Sequence, residues 1–253
     1  MRPDEQKFVF LGNFFEFLSD KLFWETIQRT SYFTVISVGI EILLGIGVAL
    51  LINSHFFGWK VLRFSLIIPW AVPTIVNGTI WRWIYNADYG ALNGLLLQLG
   101  IIDKYIPWLI EPLRAMNLVI LADIWHSFPF VALIIQAALA TLPAELLEAA
   151  AIDGANAWQR FSRITLPLLR PAILVVLVIR TVEAFRVFDI IFVITRGGPA
   201  FGTLTISYLT YLETFRNLNI GSGSALSFLV SLFVMFAAWL YVKLLYTEDL
   251  SGV

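Results

Sequence analysis

A chain of 253 residues in which 59% of side chains are hydrophobic and 14% are charged is too apolar for a soluble globular domain, where about a quarter of residues carry charge. A mean hydropathy of +0.81 places it in a membrane, and a net charge of −1 offers nothing to a nucleic acid. Cysteine is absent and only His55 and His126 are present, far apart, which excludes disulfides, thiolate chemistry and a two-histidine metal motif at helical spacing.

The first 30 residues interleave Arg2, Asp4, Glu5, Lys7, Glu16, Asp20, Lys21 and Glu25 with apolar residues, so no secretory leader is legible. Phe14, Phe15, Phe17, Phe23 and Trp24 recur among these charges at helical spacing, which predicts a helix lying in the membrane interface; residues 1–30 read as an interfacial segment. Residues 31–253 read as one transmembrane domain. Five stretches reach the roughly 20 residues that cross a hydrocarbon core: 31–52, 62–84, 118–140, 172–194 and 225–245. The fold class is therefore all-α and polytopic, with five spanning helices after an interfacial helix.

Span one contains a single acid, Glu41. Span two is uncharged from Phe64 to Trp81, and Pro69 and Pro73 predict a bend in it. Glycines and prolines mark 85–117 and 195–224 as connections with short helices. Span five is uncharged from Leu226 to Val242. Span three carries Asp123 and His126, and span four carries Arg180, Glu183, Arg186 and Asp189. Such groups cost about 2.5–3.5 kcal/mol each on insertion scales, so they normally face the bundle interior or water. The four in span four follow one another every third residue, which predicts one slanting stripe. Two readings stay open: an ion-pair ladder that orients the helix, or Arg180 and Glu183 presenting hydrogen-bonding groups to substrate hydroxyls. Asp123 either accepts hydroxyls or pairs with Arg180 or His126, while His126 reads as a packed, hydrogen-bonded helix residue. The distribution of lysine and arginine among the connections does not fix the orientation.

Between spans three and four, Thr141 to Pro171 reads TLPAELLEAAAIDGANAWQRFSRITLPLLRP. Thr141 is expected to cap a helix starting near Pro143, with Glu145 and Glu148 toward its positive end. Asp153-Gly154 is expected to break it, and a second helix to run from about Asn156 to Leu166, before Pro167. Two short helices at an angle would offer a small-residue surface of Ala149, Ala150, Ala151, Gly154 and Ala155, suited to docking a protein rather than to catalysis.

Glu148-Ala149-Ala150, Asp153-Gly154-Ala155 and Ile164-Thr165-Leu166-Pro167, in that order, resemble the EAA loop of permease subunits in binding-protein-dependent ABC importers. Phe23-Trp24, the stretches Trp81 to Gly90 and Trp125 to Phe130, and Thr195-Arg196-Gly197-Gly198-Pro199 are similar to the carbohydrate branch, which includes maltose-type permeases. The resemblance implies the MetI-like core of type I importers in a bacterial or archaeal cytoplasmic (inner) membrane, with the EAA loop and the C-terminus cytoplasmic. It implies that Glu148, Ala149, Ala150, Asp153, Gly154 and Ala155 dock on an ATPase subunit. Implied partners are a second, homologous permease, an ATPase dimer, an extracytoplasmic sugar-binding protein and membrane lipid. No G-x-x-x-x-G-K-[ST] loop occurs, so this chain is expected to hold no cofactor and not to be an enzyme, with ATP and Mg used by the partner. Positions matched to the sugar site of maltose-type permeases are Asp123, Ser127, Phe130, Arg180, Glu183, Ala184 and Val187. The pattern Arg180-x-x-Glu183-Ala184-x-Arg186-x-Phe188-Asp189 resembles permeases for trehalose, maltose and related glucosides, working by alternating access. Members of the branch usually carry a spanning helix before the interfacial segment, so the chain reads either as a shortened member or as one whose start lies upstream.

Two other classes are weighed. An ion-coupled secondary transporter would use the charge ladder and would lose uptake to an ionophore with ATP still present. An intramembrane serine protease would use Ser222 or Ser224 with His126, although Gly221-Ser222-Gly223-Ser224 reads more simply as a flexible turn with an N-cap.

Overall fold

A computed structural model describes residues 8–54 and 56–245. Residues 1–7 of the expected interfacial segment, His55, and 246–253 of the expected permease domain lie outside the described residues. In chain order the helices are α1 Gly12–Ser19, α2 Lys21–Asn53, α3 Trp59–Ala71, α4 Thr74–Ile84, α5 Ala91–Gln98 and α6 Pro112–Leu139. They continue as α7 Ala144–Ile152, α8 Ala157–Arg160, α9 Leu166–Phe185, α10 Asp189–Ile194, α11 Ile206–Tyr211 and α12 Ile220–Leu245, with no strand among the described residues. Four segments of these are long and apolar enough to cross a bilayer, Lys21–Asn53, Pro112–Leu139, Ala157–Ile194 and Ile220–Lys243; counting α3 and α4 as one broken span gives five.

Span two breaks where its prolines predict. Val72 adopts extended backbone (φ −73°, ψ 127°), the conformation that a following proline imposes, and Pro73 caps α4. Span one starts earlier than expected. Asp20 is extended and its carboxylate accepts the Leu22 N–H at 3.0 Å, so α2 begins at Lys21 and the expected interfacial helix is reduced to α1. Span five also starts early. The Asn219 N–H bonds to the Glu213 carbonyl at 2.9 Å and the Gly223 N–H to the Asn219 carbonyl at 3.0 Å, so Gly221 to Ser224 lie inside α12 rather than in a turn.

Span four departs furthest. The helix expected to stop before Pro167 continues through it, because residues Phe161–Thr165 form a π-turn in which the Leu166 N–H reaches the Phe161 carbonyl. This longer bonding pattern absorbs a proline that has no N–H to give. At its other end α9 stops at Phe185, and Phe188 (φ −135°, ψ −59°) starts α10. Arg180 and Glu183 thus lie on α9, Arg186 in the break and Asp189 at the first residue of α10, so the four do not form one stripe. Phe188 causes the break by packing into aromatics: its ring centroid lies 5.8 Å from Tyr208 and 5.1 Å from Tyr211.

The chain divides into two compact units, and α2, α6, α9 and α12 each contribute to both. The first comprises Met1–Ser37, Pro73–Asp123 and Val182–Met235. Here α4 packs on α10, the Tyr85 hydroxyl donates to the Leu118 carbonyl at 2.9 Å, and Thr74 donates to Asp189. Buried Asn93 ties the 85–111 connection together. Its amide donates to the carbonyls of Asn86, Ala87 and Ile106 and accepts from the Ile106 N–H and the Trp108 indole, which satisfies a polar group at 0% exposure.

The second unit comprises Val38–Val72, Ile124–Thr181 and Phe236–Val253. Its core joins Ala49, Val131, Ile135, Leu139, Leu169 and Val176, from α2, α6 and α9. A Cβ on Gly45 would stand 2.8 Å from the Val131 Cβ and 3.1 Å from the Ala132 nitrogen, so α2 and α6 meet where only hydrogen fits. Gly45→Ala is expected to cost about 1–3 kcal/mol through overpacking, and adding Val131→Ala to recover part of it, as read by thermal unfolding of the solubilised protein.

Candidate functional site

The connection between spans three and four is built to stand proud of the bundle. The Thr141 hydroxyl donates to the Ala138 carbonyl at 2.8 Å, so it closes α6 instead of capping α7, whose N-cap is Pro143 without a side-chain bond. The end of α7 is a Schellman turn. Ala155 N–H bonds to the Ala150 carbonyl at 2.9 Å, Gly154 N–H to the Ala151 carbonyl at 3.1 Å, and Gly154 sits at φ +82°. Asn156 and Gln159 then cap each other reciprocally and start α8. Two short helices thus meet at Asp153 to Asn156, as the sequence implies.

No side chain of α7 is buried. Glu148, Ala149, Asp153 and Gly154 are exposed and Ala150 and Ala155 half-buried. Around them stand large apolar groups: Ile152 is 87% and Trp158 71% exposed. The loop therefore presents an exposed apolar surface with exposed acids beside it.

Polar groups inside the spans form the second set. Arg180 donates from Nε to Glu41 Oε2 at 2.7 Å and from Nη2 to Glu41 Oε1 at 3.1 Å. The two side chains are 7% and 0% exposed, so this bidentate pair ties α2 to α9 within the second unit. Glu41 was legible only as a lone acid; the signal was that a carboxylate in an apolar span requires a cation. His126 Nε2 lies 2.9 Å from the Val72 carbonyl, which can only accept, so that nitrogen carries the proton and holds the end of α3. Its Nδ1 lies 3.3 Å from the Ser127 hydroxyl, and Ser127 is 3% exposed.

The matched sugar positions divide between the units. Ser127, Phe130 and Arg180 belong to the second, Asp123, Glu183, Ala184 and Val187 to the first. Phe130 is half-buried and stacks on Trp70, with the ring centroids 5.8 Å apart. Asp123 is half-buried and Glu183 exposed, whereas Ala184 and Val187 are buried; the Val187 carbonyl accepts the Thr205 hydroxyl at 3.1 Å. Among the described residues no group of three or more His, Cys, Asp or Glu side chains could hold a metal ion.

Residues 41–245 match the family model described as binding-protein-dependent transport system inner membrane component. Over 240 residues, 94% of this chain and 80% of the relative, the sequence is 42% identical to the trehalose/maltose transport system permease protein MalF of Thermococcus litoralis. It is 38% identical to the sulfoquinovosyl glycerol transport system permease protein SmoG of Agrobacterium fabrum, covering 96% of this chain and 78% of that one. A bacterial alginate ABC transporter, solved in complex with an alginate pentasaccharide-bound periplasmic protein, contains a chain of the same fold: TM-score 0.83, 21% identity, 95% of this chain and 83% of that one. The exposed loop, the spanning helices and the matched sequence agree, and the chain belongs to the family of membrane permease components of binding-protein-dependent ABC transporters.

Proposed function

We propose that the chain is one of two permease subunits of an ATP-driven importer that carries a sugar, of the trehalose or maltose type, across the cytoplasmic membrane by alternating access. The observation that carries this reading is the exposed α7–α8 loop, with its Schellman turn and reciprocal cap at the junction of the two helices, in a chain 42% identical to a trehalose/maltose permease. Glu148, Ala149, Ala150, Asp153, Gly154 and Ala155 dock in an ATPase subunit on the cytoplasmic side, where the C-terminus also lies. An ATPase dimer binds ATP and Mg, and its closure moves α7 and through it the spans; the substrate needs two states of one bundle to cross. A soluble receptor delivers sugar from outside, as the alginate complex with its periplasmic protein supports by analogy of fold. Asp123, Ser127, Arg180 and Glu183 are the groups for sugar hydroxyls and Phe130 the ring for a sugar face, with Ala184 and Val187 shaping the helix behind them. Their chemistry suits a neutral glycoside, whose hydroxyls both donate and accept.

The test is co-purification of the tagged chain with the products of neighbouring reading frames, followed by ATP hydrolysis in liposomes with and without sugar-loaded receptor. A bound ATPase stimulated by the loaded receptor is the expected result. Stable protein that takes up sugar without an ATPase, and loses uptake to an ionophore, would replace this reading with an ion-coupled carrier.

A further inference from the structure

Arg186, in the break after α9, faces a cavity of about 480 Å3 within the first unit. Ser207 and Thr210 of α11, Ser227 and Ser231 of α12, and a wall of α9 and α12 apolar side chains complete its lining. That size falls in the range of about 300–1,000 Å3 typical of small-molecule sites. None of the matched sugar positions lines the cavity, although Glu183 stands one residue from Val182 and three from Arg186; Ala184, two residues from Val182 and so on the opposite side of α9, is buried.

The hydrogen-bonding state of the lining decides what fits. Thr210 donates its hydroxyl proton to the Ile206 carbonyl at 2.8 Å, Ser227 to Gly223 at 3.0 Å and Ser231 to Ser227 at 2.9 Å. Their protons are committed to their own helix and only lone pairs remain. Arg186 and Ser207 are the reverse, since no hydrogen bond or ion pair to another described residue engages the guanidinium or the Ser207 hydroxyl. The cavity therefore offers guanidinium and hydroxyl donors at Arg186 and Ser207 and acceptors at three further hydroxyls. A phosphate or carboxylate only accepts, and would set its oxygens against the three committed hydroxyls. A hydrocarbon chain would leave the guanidinium uncompensated inside membrane-spanning helices. A polyhydroxyl compound, each of whose hydroxyls donates and accepts, matches both halves.

We infer that this cavity is a second sugar subsite of the permease, with Arg186 and Ser207 donating to the ligand and Thr210, Ser227 and Ser231 accepting from it. The inference rests on the proposed sugar-permease function. Because the chain has no cysteine, Ser231→Cys creates a unique thiol. In the complete importer in liposomes, this thiol is expected to react with a water-soluble methanethiosulfonate, and saturating trehalose to slow the reaction by about tenfold or more. Adding Arg186→Gln is expected to remove the protection, and Arg186→Lys to keep part of it, while the ATPase still co-purifies with both.

A reaction rate indifferent to trehalose overturns the subsite. So does a thiol that never reacts, the result if lipid or a neighbouring subunit fills the cavity. Uptake of radiolabelled trehalose by the cysteine-free parent separates the two readings: uptake without protection overturns this cavity alone, and absence of uptake of trehalose and of maltose overturns the proposed function beneath it.

Discussion

Glu41→Ala is expected to destabilise the permease by about 3–5 kcal/mol and to abolish uptake, because it strips the bidentate partner from the buried guanidinium of Arg180. The size of the effect comes from the charge left behind. A buried pair contributes little net stability over an apolar pair of similar volume, since two desolvated charges repay their hydration only through each other, but half a pair repays nothing. Glu41→Leu combined with Arg180→Leu is therefore expected to recover most of the stability lost by either change alone, read as the unfolding temperature in detergent. The double variant also separates the two roles open for Arg180. Restored folding with restored uptake marks the pair as a tie between α2 and α9; restored folding without uptake marks Arg180 as a group the sugar needs. A Glu41→Ala protein as stable as its parent would show that the pair is not held in the folded protein.

How far the sequence reaches can be seen at particular residues. Hydropathy and length placed the spans, because a helix that crosses hydrocarbon needs about 20 predominantly apolar residues. Val72 before Pro73 broke span two as steric rules require, and Asp153-Gly154 ended α7 because a positive φ there suits glycine. What failed was tertiary. The three-residue spacing of Arg180, Glu183, Arg186 and Asp189 predicted a stripe only if the helix stayed whole, and the packing of Phe188 against Tyr208 and Tyr211 ended it. Nothing in the local spacing announces a ring contact 20 residues away in sequence, or that Arg180 is held by Glu41, 139 residues distant. Thr141 failed for a local reason: a hydroxyl between two helices can serve the carbonyl ends of one or the amide ends of the next, and it took the former.

Gly154→Trp is expected to reduce receptor-stimulated ATP hydrolysis and uptake by at least about 100-fold, the equivalent of about 3 kcal/mol of docking free energy. Two costs are mixed in that number, and smaller substitutions separate them. At φ +82° a side chain with a Cβ, asparagine and aspartate excepted, strains the backbone by about 1–2 kcal/mol, whatever space surrounds it. Space is not limiting within this chain, for a Cβ on Gly154 meets nothing within 4 Å. Gly154→Asn, whose side chain tolerates the left-handed region, should retain the turn and nearly all coupling, and Gly154→Ala should lose some of both through strain alone. Tryptophan adds bulk that the chain itself can accommodate and a docked ATPase cannot. The expected order of coupling is therefore glycine, asparagine, alanine, tryptophan, with the ATPase failing to co-purify only in the last. If tryptophan instead lowers the unfolding temperature no more than alanine does and the ATPase still binds, the turn is not at the contact, and the exposed Ile152 and Trp158 become the residues on which the docking face must be centred.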